Sequence, residues 1–241
     1  QIEITRESGS PDRVLAADRF SILSWNIHKG SKDGFQSDLK NYSRNIDILL
    51  LQEAALNNEL ESWLGDDFSK WLLAVAFEKM GTKIGIMAAS SASPLSYCAF
   101  QEPEPLFIIP KMMLVSTYPL EDSDRRLLVV NVHMVNFTIT SEVVRKQLSE
   151  IAEIIKKHDG PVIVAGDFNT WNSDRQTVVD KAMANLLLQP VAFDPDNRSL
   201  FMNRTVDSIF YRGLNVVDSY SHAVDSSDHN PLEVHFALAD H

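Results

Sequence analysis

The sequence predicts an α/β fold, two β-sheets packed face to face between helical layers. Three observations point there. Strand-like apolar runs outnumber helical patterns and often follow one another directly, as hairpins and mixed sheets require. Helical patterns fall near residues 40, 145 and 180, enough to cover the outer faces. The chain has 241 residues, 44% hydrophobic and 9% aromatic, which fits one large domain with a sizeable core.

The elements follow in order. Residues 1–19 are polar and aperiodic and read as a tail or edge segment. Residues 20–241 then form a single domain. Residues 20–27 read as a strand, 37–45 as a short helix capped by Ser37, and 46–51 as a fully buried strand. Strands are predicted at 71–77, 83–88, 112–118 and 127–133. Between them, residues 90–110 hold Pro94, Pro103, Pro105 and Pro110 and read as a long surface loop. Residues 141–158 give the clearest helix, with Val144, Leu148, Ile151 and Ile155 on one stripe. Lys156, Lys157 and His158 fall in its last turn, where basic charge complements the helix dipole. A buried strand at 162–165 precedes a second long helix at 173–188. Strands at 205–211, 214–220 and 232–238 complete the pattern.

Charge and composition narrow the function. The net charge is −11, which argues against wrapping a long polyanion, since phosphate contacts rely on clustered Lys and Arg. One phosphate docking on a bound metal stays compatible, because the ion brings its own charge. The single cysteine, Cys98, rules out an internal disulfide and a Cys-based zinc site, and it reads as a small buried apolar residue. No apolar run approaches the ~20 residues of a membrane span. The chain opens at Gln1, so an upstream signal or anchor would leave no trace in it. A cytoplasmic monomer is the expectation.

Polar residues terminate the apolar runs with unusual regularity. Asn26 ends the first strand and Gln52-Glu53 the second. His133 ends the run 127–132, with Asn136 three residues on. Val162 to Ala165 stop in Gly166-Asp167-Phe168-Asn169. Asp207 lies in Val206-Asp207-Ser208-Ile209-Phe210, and Asp228-His229 precede the last strand. Each has a plain alternative: Asn26 capping a turn, Glu53 opening a helix at 57–64, His133 as a satisfied core histidine. Asp167 and Asn169 could form an Asx-turn, and Asp207 could pair with Arg204 or Arg212. Burying several such groups without partners is prohibitive, and gathering them round a cation and a phosphate removes that cost. Glu, Asp and Asn oxygens suit Mg²⁺ or Mn²⁺ rather than zinc.

In this order, Ser24-Trp25-Asn26-Ile27, Leu51-Gln52-Glu53, Asn131-Val132-His133, Gly166-Asp167-Phe168-Asn169, Val206 to Phe210 and Ser227-Asp228-His229 resemble the successive motifs of the endonuclease/exonuclease/phosphatase superfamily. Within it, the chain most resembles the bacterial YafD-like branch. The resemblance implies a four-layered α/β/β/α, DNase I-like sandwich and a Mg²⁺-dependent phosphodiesterase or nuclease, with Mn²⁺ as a substitute ion. It implies Glu53 as principal metal ligand with Asn26 and Asp228 nearby, and Asp167 orienting or deprotonating the attacking water. Asn169 would hold phosphate or nucleophile, and His133, assisted by Asn136, would donate to a phosphoryl oxygen. His229, paired with Asp207, would act as general base or phosphate-stabilising cation. Whether Asp167 or His229 takes the proton stays open. The resemblance implies a phosphodiester substrate, nucleic acid included, with long duplex disfavoured by charge. A lipid or inositol phosphoesterase, or a binding protein that kept the fold, are the alternatives. Leu106-Phe107-Ile108-Ile109 reads as a buried strand or a membrane-contact loop. His28-Lys29-Gly30 follows Asn26 and reads as a substrate contact or, more simply, a solvated turn, and Trp171-Asn172 as a site rim or the packed start of the next helix.

Overall fold

The computed structural model describes residues 2–4, 13–68, 70–103, 110–136 and 142–239. The chain lays down two sheets in turn. β1 (Ile2–Ile4), β2 (Phe20–Asn26), β3 (Ile48–Leu56), β4 (Lys70–Lys79) and β5 (Thr82–Ser90) enter the first. β6 (Ser96–Glu102), β7 (Lys111–Pro119), β8 (Arg126–His133) and β9 (Val162–Asp167) enter the second, joined later by β10 (Gln189–Pro190). β11 (Leu200–Phe201) and β12 (Arg204–Thr205) form a separate hairpin before β13 (Asp207–Arg212) returns to the second sheet. β14 (Leu214–Ser221) and β15 (Leu232–Leu238) then complete the first. The seven-stranded sheet runs β1-β4-β5-β3-β2-β15-β14 and the six-stranded sheet β10-β13-β9-β8-β7-β6. Within these sheets the pairs are antiparallel, except that β2 lies parallel to β3 and β8 parallel to β9.

Helices α1 (Phe35–Tyr42), α2 (Asn58–Asp67), α3 (Glu142–Ile155) and α4 (Ser173–Asn185) are the outer layers. Apolar packing divides accordingly. Phe20, Ile22, Leu50, Leu114, Val129, Ile163 and Phe236 belong to the core between the sheets. Val130, Val164 and Phe168 pack with Val144, Leu148 and Ile151 of α3 and with Val179 and Met183 of α4. Leu49 and Leu51 pack with Phe35 and Leu39 of α1 and with Leu60 and Trp63 of α2. Central strands thus bury both faces, which is why 48–51 and 162–165 read as unbroken apolar runs, while Asp47, expected inside a fully buried strand, is only partly buried and accepts from Ser21 before β3 begins. This is the α/β/β/α sandwich.

Local details correct the sequence reading. Helix α1 starts at Phe35 behind Gly34 (φ 81), not behind a Ser37 cap, because the earlier start buries Phe35. Residues 96–102 of the expected loop form edge strand β6, paired along its length with β7. Cys98 lies on that edge and is exposed, not buried. Lys156 and Lys157 follow the last residue of α3; Lys156 pairs with Glu153 at 3.6 Å. The four residues 106–109 lie outside the described residues.

The glycine beside Asp167 combines a positive φ with a close backbone approach. Gly166 has φ 137, and a Cβ there would sit 2.1 Å from the Val132 carbonyl oxygen in neighbouring β8. A backbone atom cannot yield as a side chain end can. Gly166→Ala is therefore expected to lose roughly 3 kcal/mol or more in urea unfolding, where an ordinary surface Gly→Ala change stays near zero.

Candidate active site

The strand ends deliver the polar residues to one place. Parallel β2 and β3 align Asn26 with Gln52, and parallel β8 and β9 align His133 with Asp167. Antiparallel β13 sets Asp207 opposite Asp167. β3 departs from regularity between Leu51 and Ala54, where Glu53 takes φ 52. Such bulges redirect a side chain, and this one places the Glu53 carboxylate 3.9 Å from His133 Nε2. The segment before β15 is tied down twice: Trp25 Nε1 donates to the His229 carbonyl at 2.8 Å, and Ser227 Oγ donates to the Asn26 carbonyl at 2.7 Å.

Contacts join most of the sequence-predicted set. Asn26 Nδ2 donates to Asp167 Oδ2 at 3.1 Å. The same oxygen lies 3.4 Å from His133 Nε2 and 3.9 Å from His229 Nε2. His229 Nδ1 lies 2.7 Å from Asp207 Oδ2, so Asp207 is partnered by a histidine rather than by Arg204 or Arg212. Asn169 Nδ2 donates to the Met134 carbonyl at 2.9 Å, and its N–H reaches Asp167 Oδ1 at 2.9 Å. That last bond is the Asx-turn foreseen as the plain alternative. It coexists with the site, since it uses one carboxylate oxygen and leaves the other facing the histidines. Asp228 stands exposed at the rim, 3.3 Å from His28 Nδ1. Asn136 joins through its backbone, accepting from Trp171 Nε1 at 3.3 Å. Asn172 caps α4 by accepting from Arg175 N, so that stretch starts the helix.

Two lysines complete the picture; sequence reasoning missed Lys111 and preferred a solvated turn for Lys29. Lys111, at the start of β7, places Nζ 2.7 Å from His133 Nε2. Lys29 donates to Glu53 Oε2, so the turn His28–Gly30, solvent-exposed at Lys29, also belongs to the site's rim. Below the cleft, Gln52 Nε2 donates to Asn131 Oδ1 at 2.7 Å, and Asn131 Nδ2 to the Met87 carbonyl at 2.8 Å. This buried amide pair pins the two sheets together beneath the reactive groups. Nearby, Arg175 holds the Val135 and Asn169 carbonyls at 2.7 and 3.1 Å.

Electrostatics separate the titratable groups. Burial, with Lys111, His229 and Lys29 around it, holds His133 well below its ordinary value, so it is neutral. Burial pushes Asp167 up to about 6; Asp207 adds to that, while His229 opposes it. Burial opposes charge on His229, yet Asp207 and Asp167 outweigh it and lift the imidazole to about 10. The ligand atoms of Asp167, Asp207 and His229 lie within 4.8 Å of one another, close enough to share a cation. Glu53, Asn26 and Asp228 offer oxygen donors, the chemistry a hard divalent ion takes. The ammonium of Lys29 on Glu53 shows that this carboxylate faces positive charge.

Two sheets back to back, helices outside, and a carboxylate–imidazole cleft where the strands end define the DNase I-like class. The chain belongs to the endonuclease/exonuclease/phosphatase family, whose pattern matches residues 23–229. Members of that family are hydrolases acting on phosphoesters. A UPF0294 protein of Vibrio campbellii is 39% identical over 230 residues, covering 95% of this chain and 81% of the relative. The human Nocturnin catalytic domain with bound sulfate superposes with a TM-score of 0.69 at 18% identity, over 99% of this chain and 98% of that one. ANGEL2, a 2′,3′-cyclic phosphatase solved with adenosine-2′,3′-vanadate, gives 0.67 at 17% identity, over 92% and 96%.

Proposed function

We propose that this chain is a divalent-metal-dependent phosphodiesterase that hydrolyses its substrate by water attack on phosphorus. The observation that carries the reading is the pairing of a buried carboxylate, Asp167, with a cationic imidazole, His229, held by Asp207 in one cleft beside Glu53. Glu53, with the oxygens of Asn26 and Asp228, would hold Mg²⁺, or Mn²⁺ in its place. Such an ion, when bound, neutralises charge on phosphoryl oxygens.

The chain's own groups divide the remaining work. Asp167 is poised near 6, so at neutral pH it is ionised yet basic enough to accept the attacking water's proton. His229 remains charged across the neutral range and would stabilise the phosphoryl oxygens. Asp207 fixes the imidazole's orientation and tautomer. We therefore assign the base to Asp167 and the cation to His229, the choice the sequence left open. Lys111 donates to Nε2 of neutral His133 and brings a further ammonium toward phosphate. Asn169, clamped by its own two hydrogen bonds, would position substrate, with Asn136 at the edge. Net charge −11 favours small phosphodiesters or nucleic-acid ends over long duplex.

A pH–rate profile tests this assignment. Losing the Asp167 proton raises activity, and losing the His229 proton lowers it. kcat/KM for bis-p-nitrophenyl phosphate with Mg²⁺ should rise through the region of pH 6 and fall only toward 10. Asp207→Asn should move the upper limb down. A profile that falls through pH 6 to 7 contradicts the assignment, because it would require a protonated Asp167 or a weakly basic His229.

A further inference from the structure

A cavity of about 320 Å³ opens between α1 and α2, on the outer face of the first sheet. It begins where the cleft ends. Ile27, next to Asn26, and Ala55, two residues past Glu53, form part of its wall, and Lys29, whose ammonium meets Glu53, is shared by both. Its floor is apolar and aromatic: Phe35 and Leu39 from α1, Trp63 from α2, each buried. Its rim is polar. Lys29 and Lys40 bring two ammonium groups, and Glu59 brings a carboxylate. Asn57 spends its Oδ1 on Leu60 N, so its amide N–H groups are what it can offer. Trp63 Nε1 is buried and has no hydrogen-bond partner among the described residues.

We propose that this cavity is a specificity subsite that seats a nucleobase carried on the substrate's phosphate, with Lys29 and Lys40 flanking the anionic linkage. The inference rests on the phosphoesterase reading of the adjoining cleft. A flat ring stacks on the Phe35 and Trp63 floor. Its acceptors meet the Asn57 amide, and an exocyclic amine meets Glu59. A lipid acyl chain would strip water from these rim groups and return no hydrogen bond. The volume sits at the small end of ligand pockets, which suits one nucleoside and excludes a duplex.

The test is calorimetric and needs no turnover. AMP, ribose 5-phosphate and short-chain phosphatidic acid are titrated into the protein, its Ser62→Trp variant and its Lys40→Glu variant. Both substitutions fall at exposed helix positions that line the cavity. AMP should bind the unaltered protein at least tenfold more tightly than ribose 5-phosphate. Filling the cavity in Ser62→Trp should bring that ratio close to one, and Lys40→Glu should weaken AMP several-fold even if the first variant unfolds. Equal binding of AMP and ribose 5-phosphate, tighter binding of phosphatidic acid, an AMP preference that survives Ser62→Trp, or an AMP affinity unchanged in Lys40→Glu overturns the proposal. Parallel diester hydrolysis keeps the two readings apart. Cleavage without base preference removes the subsite alone, and base preference without cleavage removes the phosphoesterase alone.

Discussion

His229→Ala lowers kcat for diester hydrolysis by roughly 10³-fold while the protein stays folded. The imidazole lies between two carboxylates, 2.7 Å from Asp207 and 3.9 Å from Asp167, and is the cationic histidine of the cluster. Removing it takes away a fixed positive charge where the phosphoryl oxygens gather charge in the transition state. It also leaves Asp207 and Asp167 facing each other without a cation between them. Asp167 should then take up a proton at higher pH, and the acidic limb of the rate profile should shift alkaline. Asp207→Asn keeps the imidazole but loosens its orientation, and about a 10²-fold loss is expected. Circular dichroism and a melting curve separate these effects from unfolding. The loop itself should hold, since its anchors are the His229 carbonyl and Ser227 Oγ rather than the imidazole.

Glu53→Ala has the second large effect, on metal response as well as on rate. Glu53 sits on the β3 bulge with its carboxylate between Lys29 and His133. No other residue of the proposed ligand set combines a carboxylate with partial burial; Asp228 is exposed and Asn26 carries no charge. The variant should lose on the order of 10³-fold in kcat/KM and bind Mn²⁺ at least about tenfold more weakly by calorimetry. Glu53→Gln keeps the side chain's size and should behave nearly the same, which separates lost charge from lost packing. A variant with unaltered Mn²⁺ affinity would move the metal elsewhere, with Asp167, Asp207 and His229 the alternative group.

Much of this fold was legible because both sheets are buried on both faces. Apolar runs such as 48–51 and 162–165 announce themselves, and the polar groups that stop them mark the candidate site. Cleft residues from Asn26 to His229 lie at strand ends because backbone pairing aligns those ends, as with Asn26 opposite Gln52 and His133 opposite Asp167. Edges were harder to read. β6 carries prolines nearby and one exposed face, so its alternation was lost among loop signals. Ser37 has the chemistry of a cap, but the burial of Phe35 decided where α1 begins. Lys111 was missed, and Lys29 read as part of a solvated turn, because a lysine at a strand's start or in a turn has no periodicity to betray it. Only the three-dimensional approach of β7 to β8 shows Lys111 against His133. Gln52 and Asn131 stood inside quoted motifs, yet their pairing across two sheets has no signature in either stretch alone.

The shared-cleft claim meets its most direct test in one assay, hydrolysis of bis-p-nitrophenyl phosphate with Mg²⁺ or Mn²⁺ and again with EDTA, for the unaltered chain, Glu53→Ala and His229→Ala. The account predicts turnover that needs the ion and collapses in both variants. Turnover at the unaltered rate in both would contradict it.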